Sequence, residues 1–220
     1  MKKLAGAKGF SQAYWEANYA APEEMDGIGN VTDHVGYMKH LFAMEFIDIS
    51  SIIDYGFGLG HLFEEVLKLF IPYRAQGIEP SEFAYQNVVQ RDIRHVASTK
   101  LKLEKIDLVS WCQKSSPSKR FDLGLCTSVL QYLSDAECEY VIESMAEQVK
   151  YLYLTVPTDR ELDQQIADLN FKDDYAIRRS RTKYLKFIKP HFTFVSSRLL
   201  ESKVHFDTAS THFTDLLFRF

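Results

Sequence analysis

Apolar and polar positions along this chain form short blocks whose period switches repeatedly between helical and extended. Val35, Met38, Phe42, Phe46 and Ile49 recur at steps of three and four, which predicts a helix packed along one face, with Asp33 as its N-cap. The blocks then alternate: strand 51–55, helix 60–70, strand 74–79, helix 81–91, strands 101–106 and 121–127, helix 135–149 and strand 151–156. Leu123-Gly124-Leu125-Cys126 and Tyr151 to Val156 are continuous rather than alternating, as in parallel strands covered on both faces. Strands separated by helices predict right-handed crossovers and an α/β, doubly wound sheet with helices on both faces.

The tail has a different pattern. Phe192 to Leu200 and Thr211 to Phe220 read as two strands without a helical period between them, and an antiparallel hairpin closing the sheet is expected. Ahead of the first strand, residues 8 to 30 read as irregular to helical. They carry Tyr14, Trp15 and Tyr19, then a turn-rich stretch from Met25 to Asn30 with Gly27 and Gly29.

Composition narrows the class. At 220 residues and 46% hydrophobic, the chain suits one well-buried domain. A net charge of −4 gives no general attraction to nucleic acid or anionic membrane, and no apolar run approaches eighteen residues. Cys112, Cys126 and Cys138 form no C-x-x-C pair, and the seven histidines show no metal-ligand spacing. A disulfide framework and a metal site are therefore not expected, and a reducing cytoplasm is the expected location. Met1-Lys2-Lys3 has no apolar core behind it, so no secretory leader is read there.

The chemistry concentrates in Ser51-Ile52-Ile53-Asp54-Tyr55-Gly56-Phe57-Gly58-Leu59-Gly60. An apolar strand ends in an acid, three glycines follow at alternate positions, and an amphipathic helix begins at His61. This strand, tight turn and helix N-terminus bring backbone amides against a nucleotide-like ligand. Read as a dinucleotide fingerprint G-x-G-x-x-G from Gly56, the third glycine falls on His61, and the match fails. What stands is D-x-G-x-G-x-G. Nineteen residues beyond Gly60, the strand Ala75-Gln76-Gly77-Ile78 ends in Glu79, where an acid accepts both hydroxyls of a ribose.

On these residues the chain resembles the class I S-adenosylmethionine-dependent methyltransferases, over about residues 45 to 220. The resemblance implies a Rossmann-like, mostly parallel seven-stranded sheet (residues 51–220) with a C-terminal antiparallel hairpin. Residues 1–50 then form a helical lid or cap, although Tyr14, Trp15 and Tyr19 equally suit a plain packing helix. It also implies that the loop Asp54, Gly56, Phe57, Gly58 and Gly60 holds the methionine end of S-adenosyl-L-methionine, and that Glu79 holds the ribose. Pro80 would lie on the adenine face, and Asp107 and Leu108 would meet the adenine edge. Asp107 equally suits a cap on a helical turn at Ser110-Trp111.

The exit from the fourth strand, Thr127-Ser128-Val129-Leu130-Gln131-Tyr132-Leu133, resembles the small-molecule branch of the family. It lacks the N/D-P-P-Y/F motif of the DNA amino methyltransferases, which counts against DNA. Thr127, Ser128 and Gln131 are thus expected in the cleft beside the sulfonium, and Asp122, at the strand's other end, is expected to be structural. No catalytic base is singled out; His34, His40 and His191 are candidates by chemistry alone. Residues 178–189 carry six basic residues, no acid, and interleaved aromatics. They suit either an anionic acceptor, RNA included, or a solvated helix whose Tyr184, Leu185 and Ile188 face the core. Two other functions remain open: a non-catalytic sensor or partner subunit that binds the cofactor, and a nicotinamide-dependent oxidoreductase.

Overall fold

The computed structural model describes residues 10–12, 15, 29–114, 120–169, 173–214 and 219. Its centre is a seven-stranded sheet in the order β3-β2-β1-β4-β5-β7-β6. The strands are β1 (Ser51–Asp54), β2 (Arg74–Ile78), β3 (Lys100–Glu104), β4 (Phe121–Thr127), β5 (Val149–Thr155), β6 (Phe192–Phe194) and β7 (Leu199–Ser202). Strands β1 to β5 pair in parallel, and β7 runs antiparallel to both β5 and β6.

The helices are α1 (Val31–Met44), α2 (His61–Phe70), α3 (Glu82–Arg91), α4 (Leu108–Lys114), α5 (Asp135–Gln148), α6 (Asp159–Leu169) and α7 (Arg181–Ile188). Alternation along each strand divides the core in two. Ile52, Leu123, Leu125, Tyr151 and Tyr153 pack with α1, α2 and α3 on one face. Ile53, Tyr55, Cys126, Leu152 and Leu154 pack with α4, α5 and α7 on the other. Continuous apolar runs were thus needed on β4 and β5 because both sides are covered. All three cysteines are buried and none is in a disulfide.

Local signals explain several boundaries. Helix α2 buries Leu62, Phe63, Val66 and Leu67, a single stripe against the sheet. Helix α5 opens with a capping box: Ser134 Oγ accepts the Glu137 N–H, while Glu137 Oε2 accepts the Ser134 N–H at 2.7 Å. Asp122 gathers the N–H and hydroxyl groups of Ser50 and Ser51 and pairs with Lys150 at 2.8 Å. Burial opposes its ionisation, yet these bonds outweigh burial and hold its pKa below the ordinary value. It ties the sheet together far from the glycine loop.

Three expectations need correction. Helix α1 is capped at Asn30, not Asp33, which lies in the first turn, where its charge complements the helix dipole. The helix stops at Met44, so Phe46, at φ 55° and 95% exposed, belongs to the turn out of it rather than to the packed face. Among the described residues, the hairpin lies within 192–202. The run read as one strand folds back at Val195 to Arg198, where the Val195 N–H donates to Leu199 O at 3.0 Å.

The segment from Thr211 forms no strand among its described residues, since 215–218 and 220 lie outside them. It packs on the sheet instead. Phe213 is buried against Tyr151, and Thr211 Oγ1 and Arg219 both bond the buried Glu201. No helix among the described residues is long and apolar enough to cross a membrane.

Candidate functional site

The strand order reverses between β1 and β4, and a ligand cleft in such a sheet opens at the carboxyl ends of the strands beside that point. A cavity of about 1770 Å³ lies there. Of the residues expected to hold the cofactor, all but Asp54 line it: Gly56, Phe57, Gly58, Gly60, Glu79, Pro80, Asp107, Leu108, Thr127, Ser128 and Gln131. Asp54 sits just beneath the loop, 2% exposed, with Oδ1 accepting the Gly56 N–H at 3.0 Å.

The glycine loop is shaped by its backbone. Gly58 and Gly60 have φ of +52° and +81°, a region that side chains rarely tolerate, and Gly60 directly precedes α2. No side chain caps that helix N-terminus. A Cβ at Gly56 would lie 2.6 Å from Val129 Cγ2, so the turn after β4 presses on the loop. The Phe57 ring stacks on Phe63 with centroids 6.3 Å apart, and the residue lines the cavity.

Glu79 is 4% exposed. Its Oε2 accepts the Gly58 N–H and its Oε1 the Ser81 N–H, each at 2.9 Å. A carboxylate has about four lone-pair sites, so roughly two remain for a ligand. Burial raises the Glu79 pKa to about 7 despite the two amide bonds. Burial likewise lifts Asp54 to about 7, opposed by the Gly56 N–H and reinforced by the nearby Glu79 charge.

Asp107 carries the cap that its sequence context suggested: Oδ1 accepts the Ser110 N–H at 2.9 Å and Oδ2 the Ser110 hydroxyl at 2.7 Å. It does so from the cavity wall. Ser128 is held at φ 54° by its N–H bond to Thr155 O at 2.9 Å, a conformation costing a non-glycine residue about 1–2 kcal/mol.

The N-terminal segment reaches this site. The Trp15 Nε1–H donates to Ser81 Oγ at 2.9 Å, and Ser81 Oγ donates to Phe10 O at 2.9 Å. Phe10 packs edge-on to Tyr132 with centroids 4.8 Å apart. Trp15 stands over the loop, its Cη2 3.3 Å from where a Gly58 Cβ would be. Tyr14, Tyr19 and Gly27, marked with it, lie outside the described residues.

Of the three histidines named as candidate bases, His34 alone lines the cavity. Its Nδ1 is 2.5 Å from the Tyr153 hydroxyl and 3.1 Å from Arg198 Nη1. His40 is exposed and bonds Gly36 O through Nδ1.

In the basic segment, Arg178 pairs with Asp163, Lys183 pairs with Asp135, and Arg179, with a side chain 2% exposed, pairs with Asp135 at 2.8 Å. Arg181 lines the cavity. Tyr184, Phe187 and Ile188 are the buried positions of α7, while Leu185 is half-buried on the cavity wall.

Sequence reasoning missed the cavity contributions of Thr155, Val156, Phe194 and Arg198. The first two follow β5 and were accessible from the rule that ligands meet strand carboxyl ends. Arg198 was hidden because its turn was read as strand.

Several solved structures share this fold. Magnesium protoporphyrin IX methyltransferase (ChlM) from Synechocystis PCC 6803, with bound SAH (S-adenosylhomocysteine), matches with TM-score 0.57 at 15% identity, covering 91% of this chain and 96% of that one. The plantazolicin methyltransferase BamL, in complex with a triazolic desmethylPZN analog and SAH, matches with TM-score 0.67 at 12% identity, covering 96% and 80%. An S-adenosylmethionine-dependent methyltransferase from Clostridium acetobutylicum ATCC 824 matches with TM-score 0.64 at 11% identity, covering 89% and 98%. The chain has the fold of the class I S-adenosylmethionine-dependent methyltransferases; at these identities the likeness is one of fold. No family model and no curated protein sequence matches the chain.

Proposed function

We propose that this protein is a methyltransferase that draws its methyl group from S-adenosyl-L-methionine and passes it to a small molecule. The observation that carries the reading is Glu79. A buried carboxylate with spare acceptor capacity ends β2 and is bonded to the glycine loop that ends β1. The neighbouring folds, several with SAH bound, support the same cofactor.

The residues fit this cofactor. Glu79 would hold the ribose hydroxyls, Asp54 with the 56–60 loop the methionine end, and Pro80, Asp107 and Leu108 the adenine. When bound, the cofactor supplies a methyl on a positively charged sulfur, a leaving group that needs no acid assistance. The protein's part is alignment and exclusion of water. Thr127, Ser128 and Gln131 form the wall where the two ligands would meet, and Phe10 and Trp15 act as part of a cap over the glycine loop.

An anionic acceptor finds limited support, because Arg178, Arg179 and Lys183 are engaged by carboxylates and Arg181 is what the segment offers the cavity. A sensor that binds the cofactor without transfer would share every one of these contacts. Native mass spectrometry of the purified protein tests the cofactor directly. An added mass of S-adenosylmethionine or SAH is expected, and an adenine dinucleotide would overturn the reading. Release of SAH from S-adenosylmethionine across an acceptor panel separates enzyme from sensor.

A further inference from the structure

Among the described residues, Gln131 Oε1 is a buried side-chain polar atom without a hydrogen-bond partner, and the Tyr184 hydroxyl has no neighbour of that kind but the Arg179 guanidinium. Both residues line the cavity, and each is 3% exposed. Leaving such a group unpaired costs about 1–3 kcal/mol, and native folds seldom do so without a reason. On a cavity wall the reason is a ligand that supplies the missing partner.

Both groups are held rigidly. Gln131 lies in the 3-10 turn Leu130–Tyr132, and its main-chain oxygen accepts the Ile177 N–H at 2.7 Å. Arg179 donates to Leu130 O at 3.2 Å and to Leu133 O, bracketing Gln131, and its guanidinium lies 5.7 Å from the Tyr184 ring centre. The turn after β4 and the start of α7 are thereby locked together, with the orphaned Gln131 oxygen on one and the Tyr184 hydroxyl, beside Arg179, on the other.

The surroundings restrict what fits. Tyr132, Val156, Leu185, Ile188 and Phe194 give the same cavity apolar and aromatic walls. A carboxamide oxygen only accepts, so it calls for an O–H or N–H, whereas a phenol hydroxyl accepts or donates. A single-ligand pocket occupies about 300–1,000 Å³, and 1770 Å³ leaves room for a second molecule beside a cofactor.

We propose that Gln131 and Tyr184 are the recognition pair for the methyl acceptor, and that the acceptor is an uncharged, flat, apolar molecule whose hydroxyl or amino hydrogen is donated to Gln131 Oε1. This rests on the methyltransferase reading and adds its substrate class. Gln131, expected from the sequence to serve the cofactor, is assigned to the acceptor.

The test titrates the SAH-saturated protein, by NMR, with 4-methylphenol, with 4-methylanisole, which has no hydrogen to donate, and with the anion 4-methylbenzoate. The phenol is expected to bind at least about tenfold more tightly than either of the others. Gln131→Leu should erase that preference, and Tyr184→Phe should weaken phenol and anisole alike, while SAH affinity stays within about twofold in both variants. Gln131→Glu, near in shape and still an acceptor, should keep the preference for phenol over anisole. Equal binding of phenol and anisole, tighter binding of the benzoate, or no phenol binding overturns the proposal. So does a rise in SAH Kd in Gln131→Leu, which would return the orphaned oxygen to the cofactor. Failure of the wild-type protein to bind SAH is a separate result, seen before any acceptor probe is added, and removes the methyltransferase reading itself.

Discussion

The Glu79 carboxylate, at the end of β2, accepts the backbone N–H of Gly58, in the loop after β1, at 2.9 Å. Two segments twenty-one residues apart are thereby one unit, and the loop is shaped by the acid proposed to hold the ribose. Charge-assisted bonds of this kind contribute about 1.5–3 kcal/mol each. Glu79→Gln turns an amide NH2 toward a backbone N–H, and should weaken S-adenosylmethionine binding at least about tenfold, read by calorimetry.

The same acid gives the ligand-free protein a pH dependence of unusual sign. Glu79 and Asp54 rise from 4.5 and 3.8 to about 7 on burial. The native state therefore holds protons that the unfolded chain has shed, and stability falls as pH rises. That contribution is complete below about pH 4 and lost through about pH 7. The melting temperature of the wild-type protein is expected to decline from pH 5 to pH 8, and Glu79→Gln to flatten the decline. A steeper decline in the variant would contradict this origin. Cofactor affinity should move oppositely, rising through pH 7, because ribose hydroxyls donate best to the ionised acid.

Gly56 tests how the loop meets the turn after β4. Its φ lies outside the left-handed region, so the cost of alanine there comes from contact alone, with Val129 Cγ2 2.6 Å from the new Cβ. Gly56→Ala should cost about 1–3 kcal/mol. Val129→Ala removes that methyl, so the double variant should recover most of the loss. Additive losses in urea denaturation would show that the crowding lies elsewhere.

Arg179 is the structural member of a segment that reads as uniformly basic. Removing it strips partners from Leu130 O and Leu133 O. Arg179→Met should cost about 2–4 kcal/mol in urea denaturation. Arg178→Ala and Lys183→Ala, which break more exposed ion pairs, should each stay within about 1 kcal/mol.

Much of this was legible in the chain. The β1–loop–α2 unit could be read because its alternate glycines answer a backbone demand, borne out at φ +52° and +81° for Gly58 and Gly60. That the strands are parallel and covered on both faces followed from the continuous apolar runs of β4 and β5. Most of what escaped is governed by tertiary contact. Helix α6 escaped although Leu162, Ile166 and Leu169 recur at steps of four and three and the local pair Thr158 and Glu161 marks its start, where Glu161 Oε2 accepts the Thr158 N–H at 2.7 Å. The hairpin turn at Ser196-Ser197 carries no glycine or proline, and its flanks are apolar on both sides, so it reads as continuous strand. The orphaned oxygen of Gln131 exists only in three dimensions, because nothing in a sequence says which partners a buried amide lacks.

The central claim, that Asp54, the 56–60 loop and Glu79 form an S-adenosylmethionine site, is tested most directly by calorimetric titration of the purified protein with S-adenosylmethionine, SAH and NAD. Saturable binding of the first two with one site per chain, and no heat from NAD, is the predicted result. NAD binding with no response to S-adenosylmethionine or SAH would contradict it.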